Sequence, residues 1–319
     1  MREEQTKTTT EHLIFHVDVN SAFLSWESVR RIKEGLPDLR DIPACIGGDP
    51  TKRTGIVVAK SIPAKKCGVQ TGEPVAMALR KCPNMVIVPS DFDLYVRCSR
   101  AFKKICASYT PVMESFSIDE VFLDMTGTSL LYPDPIAAAH EIKDRIYEEL
   151  GFTVNIGIST NKLLAKMASD FEKPNKVHTL FPEEIPEKMW PLPVDELFFV
   201  GKTTAAHLHK LGIHTIGELA RTDPGLLEMH LKKHGRAIWK YANGGELDAA
   251  VFERRSSKNK GYGNETTLPD DVTDMETACQ VILSLCETVG ARLRQDNMKI
   301  SVVGVHVKDN SFTERSRQT

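Results

Sequence analysis

The segment 116–124 constrains the fold most, because it places two adjacent carboxylates among apolar and aromatic residues. It reads Phe-Ser-Ile-Asp-Glu-Val-Phe-Leu-Asp, a composition typical of a strand. Side chains of a regular strand alternate between faces, so such a strand could not aim Asp119 and Glu120 at one place. Ile118 and Val121 are three residues apart, and this break in alternation predicts a hairpin tip where both acids reach one ion. The alternative is a solvated turn, because acidic side chains are mostly exposed.

A third carboxylate lies in a segment that we expect to be buried. Residues 13–19 form a nearly continuous apolar run that contains one acid, Asp18. A buried carboxylate needs a partner, a metal ion or a raised pKa. In a small α+β sheet, neighbouring central strands would bring Asp18, Asp119 and Glu120 together. Such a cluster needs protons or bridging cations, and oxygen ligands favour Mg²⁺ or Mn²⁺ over zinc. Two such ions could align a hydroxyl and a triphosphate for in-line displacement.

Composition limits the class of protein. The 319 residues are enough for two or more domains, and 41% hydrophobic with 26% charged residues is ordinary for a soluble globular chain. Residues 1–11 are polar and no apolar run is long enough to span a bilayer, so we expect no signal peptide or membrane anchor. Seven scattered cysteines without Cys-x-x-Cys favour a reducing, cytoplasmic location. The net charge of −2 leaves any contact with nucleic acid to local basic patches.

The order of the predicted elements indicates an α+β, multidomain chain. Strand, helix, strand hairpin, helix and strand predict a domain with an antiparallel or mixed sheet and helices on one face. Short helices are predicted from residue 182 onwards. The one clearly basic stretch of the sequence is 232–260, which is either a solvated segment or a contact for a polyanion. Beyond it, a helix at 275–296 and a strand at 299–308 are predicted.

Three motifs occur in order along the chain. They are His-Val-Asp-Val-Asn-Ser-Ala-Phe at 16–23, Ser-Ile-Asp-Glu-Val-Phe-Leu-Asp at 117–124, and Gly-Ile-Ser-Thr-Asn-Lys-Leu-Leu-Ala-Lys-Met-Ala-Ser at 157–169 with Lys-Pro-Asn at 173–175. The chain resembles the Y-family, DinB/UmuC-type translesion DNA polymerases in these motifs and over essentially its whole length.

The resemblance implies a multidomain right-hand polymerase with a ferredoxin-like palm. The implied domains are a palm at 1–21 and 89–180, small fingers at 22–88, a helix-hairpin-helix thumb at 181–245, a basic linker at 246–260 and a partial α+β little finger at 261–319 that we expect to be truncated.

The resemblance also implies a role for each acid. Asp18 and Asp119 would hold two Mg²⁺ ions, the Val19 carbonyl would complete the ligand set, and Glu120 would position the ion at the primer hydroxyl. Phe23 falls where the family keeps an aromatic steric gate, whose ring would clash with a ribose 2′-hydroxyl. Without the resemblance, Phe23 is interpreted as a core residue of a helix.

The fingers segment departs from the family pattern. The usual Thr-x-x-Tyr-x-x-Arg that grips the triphosphate is replaced by Ala59, Ile62 and Lys65. Lys65 keeps a charge but loses the bidentate fork of arginine. Lys173 would contact the triphosphate, and the alternative for it is a lysine that interacts with a helix C-terminus.

The segments 200–203 and 211–213 resemble one helix-hairpin-helix of the family's thumb. Backbone N–H groups around Gly201 and Lys202 would bind DNA phosphates without reading sequence. Phe199 stands where the motif usually has its first glycine. In the basic stretch, Arg254 and Arg255 are further candidates for DNA contact.

The leading hypothesis is a template-directed DNA polymerase of low fidelity that bypasses lesions. It would bind primer–template DNA, a deoxynucleoside triphosphate and two Mg²⁺ ions, act as a monomer away from membranes, and reach a sliding clamp through residues absent from this chain. One alternative is a nucleotide cyclase with a similar palm. The other is a non-catalytic DNA-bound scaffold, motivated by Ala59 and Ile62.

Overall fold

The computed structural model describes residues 12–49, 55–246 and 259–319. The strands of these ranges are β1 (Ile14–Val19), β2 (Ala44–Gly47), β3 (Val57–Lys60), β4 (Val86–Val88), β5 (Met113–Ser115), β6 (Glu120–Asp124), β7 (Val154–Ser159), β8 (Val177–Thr179), β9 (Gly304–Lys308) and β10 (Glu314–Gln318). The α-helices are α1 (Ala22–Lys33), α2 (Ile62–Lys66), α3 (Val75–Lys81), α4 (Phe92–Cys106), α5 (Pro135–Leu150), α6 (Lys162–Asp170), α7 (Lys202–Lys210), α8 (Ile216–Arg221), α9 (Pro224–Leu231), α10 (Lys233–Ala242) and α11 (Met275–Gln295).

β1 lies at the centre of a five-stranded sheet with the order β5-β6-β1-β7-β8. It pairs antiparallel with β6 on one side and β7 on the other, and β8 adds to β7 in parallel. The elements β1, α4, β5, β6, α5 and β7 form a ferredoxin-like arrangement, with α1 to α3 and a second sheet inserted after β1. This confirms the predicted α+β domain with a mixed sheet.

The two faces of this sheet differ in chemistry, as the alternation of side chains along β1 requires. Phe15, Val17 and Val19 are buried in the main hydrophobic core together with residues of α1, α4 and α5. His16 and Asp18 alternate with them and are also buried. Burying a large apolar side chain contributes about 1.5–3 kcal/mol, so the core face stabilises the fold while the opposite face carries polar groups.

Helix α6 packs on β7 and β1, and nearly all of its residues are buried. Asn161 caps its start, because the side-chain oxygen accepts a hydrogen bond from the Leu164 N–H at 2.9 Å. The Asn161 amide also donates to the Gly244 carbonyl at 2.9 Å. The helix is therefore tied both to the sheet and to the helices that follow.

Residues 182–242 form what we call the helical module, which contains α7 to α10. Short helical segments at Pro182–Glu184, Ile185–Met189 and Val194–Glu196 precede these helices. The module has its own hydrophobic core, which Leu163, Leu164 and Met167 of α6 complete. One helix thus contributes to the packing of two parts of the protein.

A second sheet has the order β3-β2-β4, with β2 antiparallel to β3 and parallel to β4. Its own small core includes Val57, Ala64 and Val75 from β3, α2 and α3. Helix α3 is short, because only a brief helical run separates Pro74 from Cys82.

The segment 259–319 contains α11 and the antiparallel hairpin of β9 and β10. The predicted strand 299–308 was too long, since only 304–308 pairs. β10 was missed because Glu-Arg-Ser-Arg-Gln has no apolar residue to signal a strand. Within the described ranges, no helix is long and apolar enough to cross a membrane.

Gly157 allows β7 and α6 to approach closely, and this predicts a specific sensitivity. A Cβ at this position would lie 1.9 Å from the Ala165 carbonyl oxygen and 2.5 Å from the Ser169 nitrogen. Gly157→Ala should lower the free energy of unfolding by at least about 2 kcal/mol, because backbone atoms must move. Denaturant titration measures this change in the free energy of unfolding. Gly127→Ala, where a Cβ meets nothing within 4 Å, should change stability by under about 0.5 kcal/mol. Equal effects of the two substitutions would contradict the packing described.

Candidate active site

The acidic pair lies where the chain turns between β5 and β6. The N–H groups of Phe116 and Ser117 donate to the Glu120 carbonyl at 3.1 and 3.3 Å, which closes the predicted hairpin tip. The Ser117 hydroxyl donates to Asp119 Oδ1 at 2.6 Å. Lys103 of α4 donates to the Ser117 carbonyl at 2.5 Å and thereby anchors the tip on the helix beneath it.

Asp18 and Glu120 are directly opposite each other on β1 and β6. Opposite residues of an antiparallel pair project from the same face, so these two acids share one surface. The Val19 N–H donates to the Asp119 carbonyl at 3.1 Å and continues the ladder to the tip. The Asp119 carboxylate accepts a hydrogen bond from the Ser117 hydroxyl at the tip. No group of three or more His, Cys, Asp or Glu residues is placed to hold a metal ion in the described part of the chain.

Two lysine ammonium groups bind the opposed acids. Lys173 Nζ bonds to Asp18 Oδ2 and lies 2.8 Å from Asp170 Oδ1. Lys166 Nζ bonds to Glu120 Oε1 and lies 4.0 Å from Asp170 Oδ2. Burial alone would lower the pKa of Lys173, but Asp18 and Asp170 outweigh burial and raise it. Cations are therefore held at both acids by the protein's own side chains.

Burial has the largest influence on the pKa of Asp18, which is only 8% exposed. It raises the pKa of Asp18 to about 6, while Lys173 opposes that change and the charges of Glu120 and Asp170 add to it. A carboxylate that is ionised at neutral pH in this position carries a free-energy cost that a bound cation would offset.

His16 lies beside the acids and was not singled out from the sequence. Its Nδ1 is 2.8 Å from Ser169 Oγ, whose hydroxyl donates to the Lys166 carbonyl at 2.8 Å. Because the Ser169 hydroxyl hydrogen is used in that bond, His16 donates its Nδ1–H to Ser169 Oγ, and His16 Nε2 carries the lone pair. Nε2 lies 3.6 Å from Glu120 Oε1. Burial, followed by Lys166 and Lys173, lowers the pKa of His16 well below its usual value, so this contact is not an ion pair at neutral pH.

Lys166 is the second residue that the sequence reasoning missed. Its signal is the spacing of Lys162, Lys166 and Asp170 at four-residue intervals, which places them on one side of α6. Lys162 Nζ lies 2.5 Å from Glu114 Oε2 on β5. The lysines of α6 thus meet acids of two successive strands.

Phe23 stands in the first turn of α1, just beyond the end of β1. Its half-buried ring stacks on Tyr95 at a centroid distance of 4.5 Å and an interplanar angle of 16°. The ring of Phe92 meets it edge-on at 6.1 Å. These contacts fix the orientation of the Phe23 ring and leave part of it accessible.

The three departures from the triphosphate motif lie on β3 and α2. Ala59 is half-buried against the main core. Ile62 is the first residue of α2 and is 57% exposed. Lys65 is exposed in the last turn of the same helix. The structure places an apolar side chain and a flexible ammonium at this surface.

The start of α7 carries the candidate phosphate contacts. Gly201 caps the helix and Lys202 is its first residue, and both are exposed. Phe199, in the position of the usual glycine, has a φ of 72°. The backbone therefore keeps the left-handed conformation that favours glycine, although a bulky residue there is strained. Arg254, Arg255 and most of the linker 246–260 lie outside the described residues.

The raised pKa of Asp18 predicts how a charge-removing substitution changes stability with pH in metal-free solution. Asp18 binds a proton more tightly in the folded protein than at its ordinary pKa of 3.8, so wild-type stability falls as pH rises through about 4 to 6. The free energy of unfolding of Asp18→Asn should therefore exceed that of wild type by up to about 3 kcal/mol at about pH 8, and the two should be equal below about pH 4.

Thermal or denaturant unfolding across this pH range measures the difference. Asp270→Asn removes the same charge at an exposed position and should follow the wild-type curve within about 0.5 kcal/mol. A stability difference between Asp18→Asn and wild type that does not change with pH would contradict the buried charge.

Family models match most of the chain. The impB/mucB/samB family matches residues 17–170, the helix-hairpin-helix motif of the same family matches 182–213, and its C-terminal domain matches 259–319. The first of these ranges contains Asp18, Asp119 and Glu120 together with α6.

Curated relatives and a solved structure agree with these matches. A DNA polymerase IV of Clostridium acetobutylicum is 47% identical over 96% of this chain and 77% of its own length. DNA polymerase IV 1 of Bacillus subtilis is 38% identical over 96% of this chain and 72% of its own. A Y-family DNA polymerase chimera superposes with a TM-score of 0.82 at 23% identity, over 96% of this chain and 87% of that one. This likeness confirms the α+β multidomain right-hand fold. The chain belongs to the impB/mucB/samB family, the Y-family DNA polymerases that include the DNA polymerases IV.

Proposed function

We propose that this protein is a template-directed DNA polymerase that extends a primer 3′ end with low fidelity and bypasses damaged template bases. The observation that carries the proposal is the opposed pair Asp18 and Glu120 at one end of a ferredoxin-like sheet. The relatives named DNA polymerase IV support the same function. They lend no support to a nucleotide cyclase or to a non-catalytic scaffold.

Dependence on a divalent metal follows from the family, and the acids fit such an ion. Asp18 and Glu120 already bind ammonium groups through their oxygens, and the Asp119 carboxylate is adjacent in the chain. All-oxygen donors suit Mg²⁺. We assign two Mg²⁺ ions to Asp18, the Val19 carbonyl, Asp119 and Glu120. When bound, the ions would supply charge neutralisation and Lewis acidity to the phosphates and the primer hydroxyl.

The two candidate lysines would bind the triphosphate of the incoming deoxynucleotide. Lys173 is 37% exposed in its side chain and bonds to Asp18. It can turn from that acid to a phosphate once another cation neutralises Asp18. Lys65 offers an exposed point charge without the arginine fork, and Ile62 offers no hydroxyl. We expect a weaker triphosphate grip on this side than the usual motif gives.

DNA binding follows from the family, and we assign the helical module to the thumb. The N–H groups of the exposed residues Gly201 and Lys202 suit phosphates, and a basic contribution from Arg254 and Arg255 suits the duplex backbone. We further propose that the protein acts as a monomer in the cytoplasm, with a sliding clamp as a partner. The domain ranges given by the resemblance remain our assignment.

The central prediction concerns template-directed extension. The wild-type protein with primer–template DNA, deoxynucleotides and Mg²⁺ should extend the primer, and Asp119→Ala should lower kcat at least about 100-fold because a charge-stabilising group is lost. Asp124→Asn is the matched control, since Asp124 lies at the other end of β6 and bonds to Thr126; its kcat should stay within about 3-fold of wild type. DNA binding without extension would favour the scaffold, and cyclic nucleotide formation without a template would favour the cyclase.

The Phe23 ring is expected to make the protein select deoxyribose over ribose in the incoming nucleotide. Phe23→Ala removes the ring that would meet a ribose 2′-hydroxyl, so incorporation of ribonucleotides relative to deoxynucleotides should rise at least about 10-fold. Single-nucleotide insertion kinetics with matched ribo- and deoxyribonucleotides measure the ratio. Phe92→Ala is the control: it removes a neighbouring ring but leaves Phe23 stacked on Tyr95, so the ratio should change less than about 3-fold. Unchanged selectivity in Phe23→Ala would leave Phe23 as a packing residue.

A further inference from the structure

Lys166 carries a buried ammonium group that no role assigned above uses. The residue is 8% exposed. Its Nζ bonds to Glu120 Oε1 and lies 5.7 Å from the ring centroid of Phe116 and 5.2 Å from that of Phe198. One carboxylate and two aromatic faces therefore surround the charge. We call Lys166, Phe116 and Phe198 the lysine cage.

The cage restricts the position of the ammonium group. A desolvated cation is attracted to aromatic faces and to a carboxylate, and both attractions strengthen as water is excluded. A further carboxylate, that of Asp170, is 4.0 Å away on the same helix. The bond to Glu120 is thus the main polar contact of Lys166, and each group limits the movement of the other.

The cage also joins two parts of the protein. Phe116 lies at the hairpin tip, whereas Phe198 belongs to the helical module. The two rings are 6.2 Å apart, and the Phe198 N–H donates to Met167 Sδ at 3.4 Å. Phe198 also packs on Phe199 at 4.3 Å, two residues before the Gly201 cap of α7. Movement at the start of α7 would therefore shift a ring that touches Lys166.

We propose that Lys166 is a positioning residue for Glu120, and that Phe198 sets the position of Lys166, so that the placement of the helical module is transmitted to the catalytic carboxylate. This rests on the polymerase function proposed above. The role requires no contact between Lys166 and the substrate. Lys166 acts by restricting Glu120.

The same helix provides a matched control. Lys162 pairs with Glu114 at 2.5 Å one turn earlier on α6. It is also a lysine–glutamate pair between α6 and the sheet, and its partner Glu114 is not one of the three acids assigned to metal binding. A general loss of α6 packing would affect Lys162→Met and Lys166→Met alike.

Single-nucleotide insertion kinetics test the role of Lys166. Lys166→Met should lower kcat about 10–100-fold, the range for loss of a group that orients a metal ligand, and change KM for the deoxynucleotide less than about 3-fold. Lys166→Arg keeps the charge and should restore kcat to within about 5-fold of wild type. Lys162→Met should stay within about 3-fold. Equal loss in both methionine variants, or no rescue by arginine, would overturn the proposal.

Hydrogen exchange provides a readout that does not depend on turnover. Backbone amides of 113–120 should exchange faster in Lys166→Met and in Phe198→Leu than in wild type, because the tip loses one of its anchors. They should be unchanged in Lys162→Met. Unchanged exchange at the tip in Lys166→Met would show that Lys166 does not fix it.

A double-mutant cycle tests the link to the helical module. Phe198→Leu should lower kcat about 3–10-fold in the wild-type background and have no further effect with Lys166→Met, because its action passes through the lysine. Additive effects would overturn the link. If wild type itself fails to extend a primer, the polymerase proposal fails; if wild type extends and Lys166→Met does too at full rate, only the present inference fails.

Discussion

The opposition of two acids, the buried Asp18 on β1 and the partly buried Glu120 on β6, is the constraint on which the rest of this structure depends. Two carboxylates on one face of adjacent strands repel each other, and burial makes their charges costly. The fold meets this cost with ammonium groups from the third motif, Lys166 at Glu120 and Lys173 at Asp18. The raised pKa of Asp18 shows that the compensation is incomplete. Binding of additional cations at this site is therefore favourable, because they offset the remaining carboxylate charge.

Helix α6 connects this electrostatic constraint to the rest of the molecule. One side of the helix places lysines on acids of the sheet, and the other side completes the core of the helical module. Gly157 permits the close approach of helix and sheet on which those lysine contacts depend. The arrangement explains why one short segment carries both packing and charge. In the proposed polymerase, α6 would also transmit movement of the DNA-binding helical module to the acids.

Local patterns in the sequence predicted much of this fold. The bounds of α5 follow from Asp134 as cap, Pro135 in the first turn and Gly151 after the last turn. Broken alternation at 116–124 predicted the hairpin tip. The contacts of His16 and Lys166 could not be predicted in this way, because they depend on which strands become neighbours and on where α6 lies over them. The left-handed backbone of Phe199 was also hidden, since phenylalanine does not signal that conformation.

In the proposed polymerase, divalent cations bind beside the lysines at the two acids once substrates are present. A crystal structure of the protein with a 3′-deoxy-terminated primer–template, a deoxynucleoside triphosphate and Mg²⁺ tests this most directly. We expect oxygens of Asp18, Asp119 and Glu120 within about 2.0–2.1 Å of the ions, Lys173 turned from Asp18 to the triphosphate, and Lys166 still bonded to Glu120. Ions bound away from these acids, or Lys173 still paired with Asp18 beside a bound triphosphate, would contradict the account.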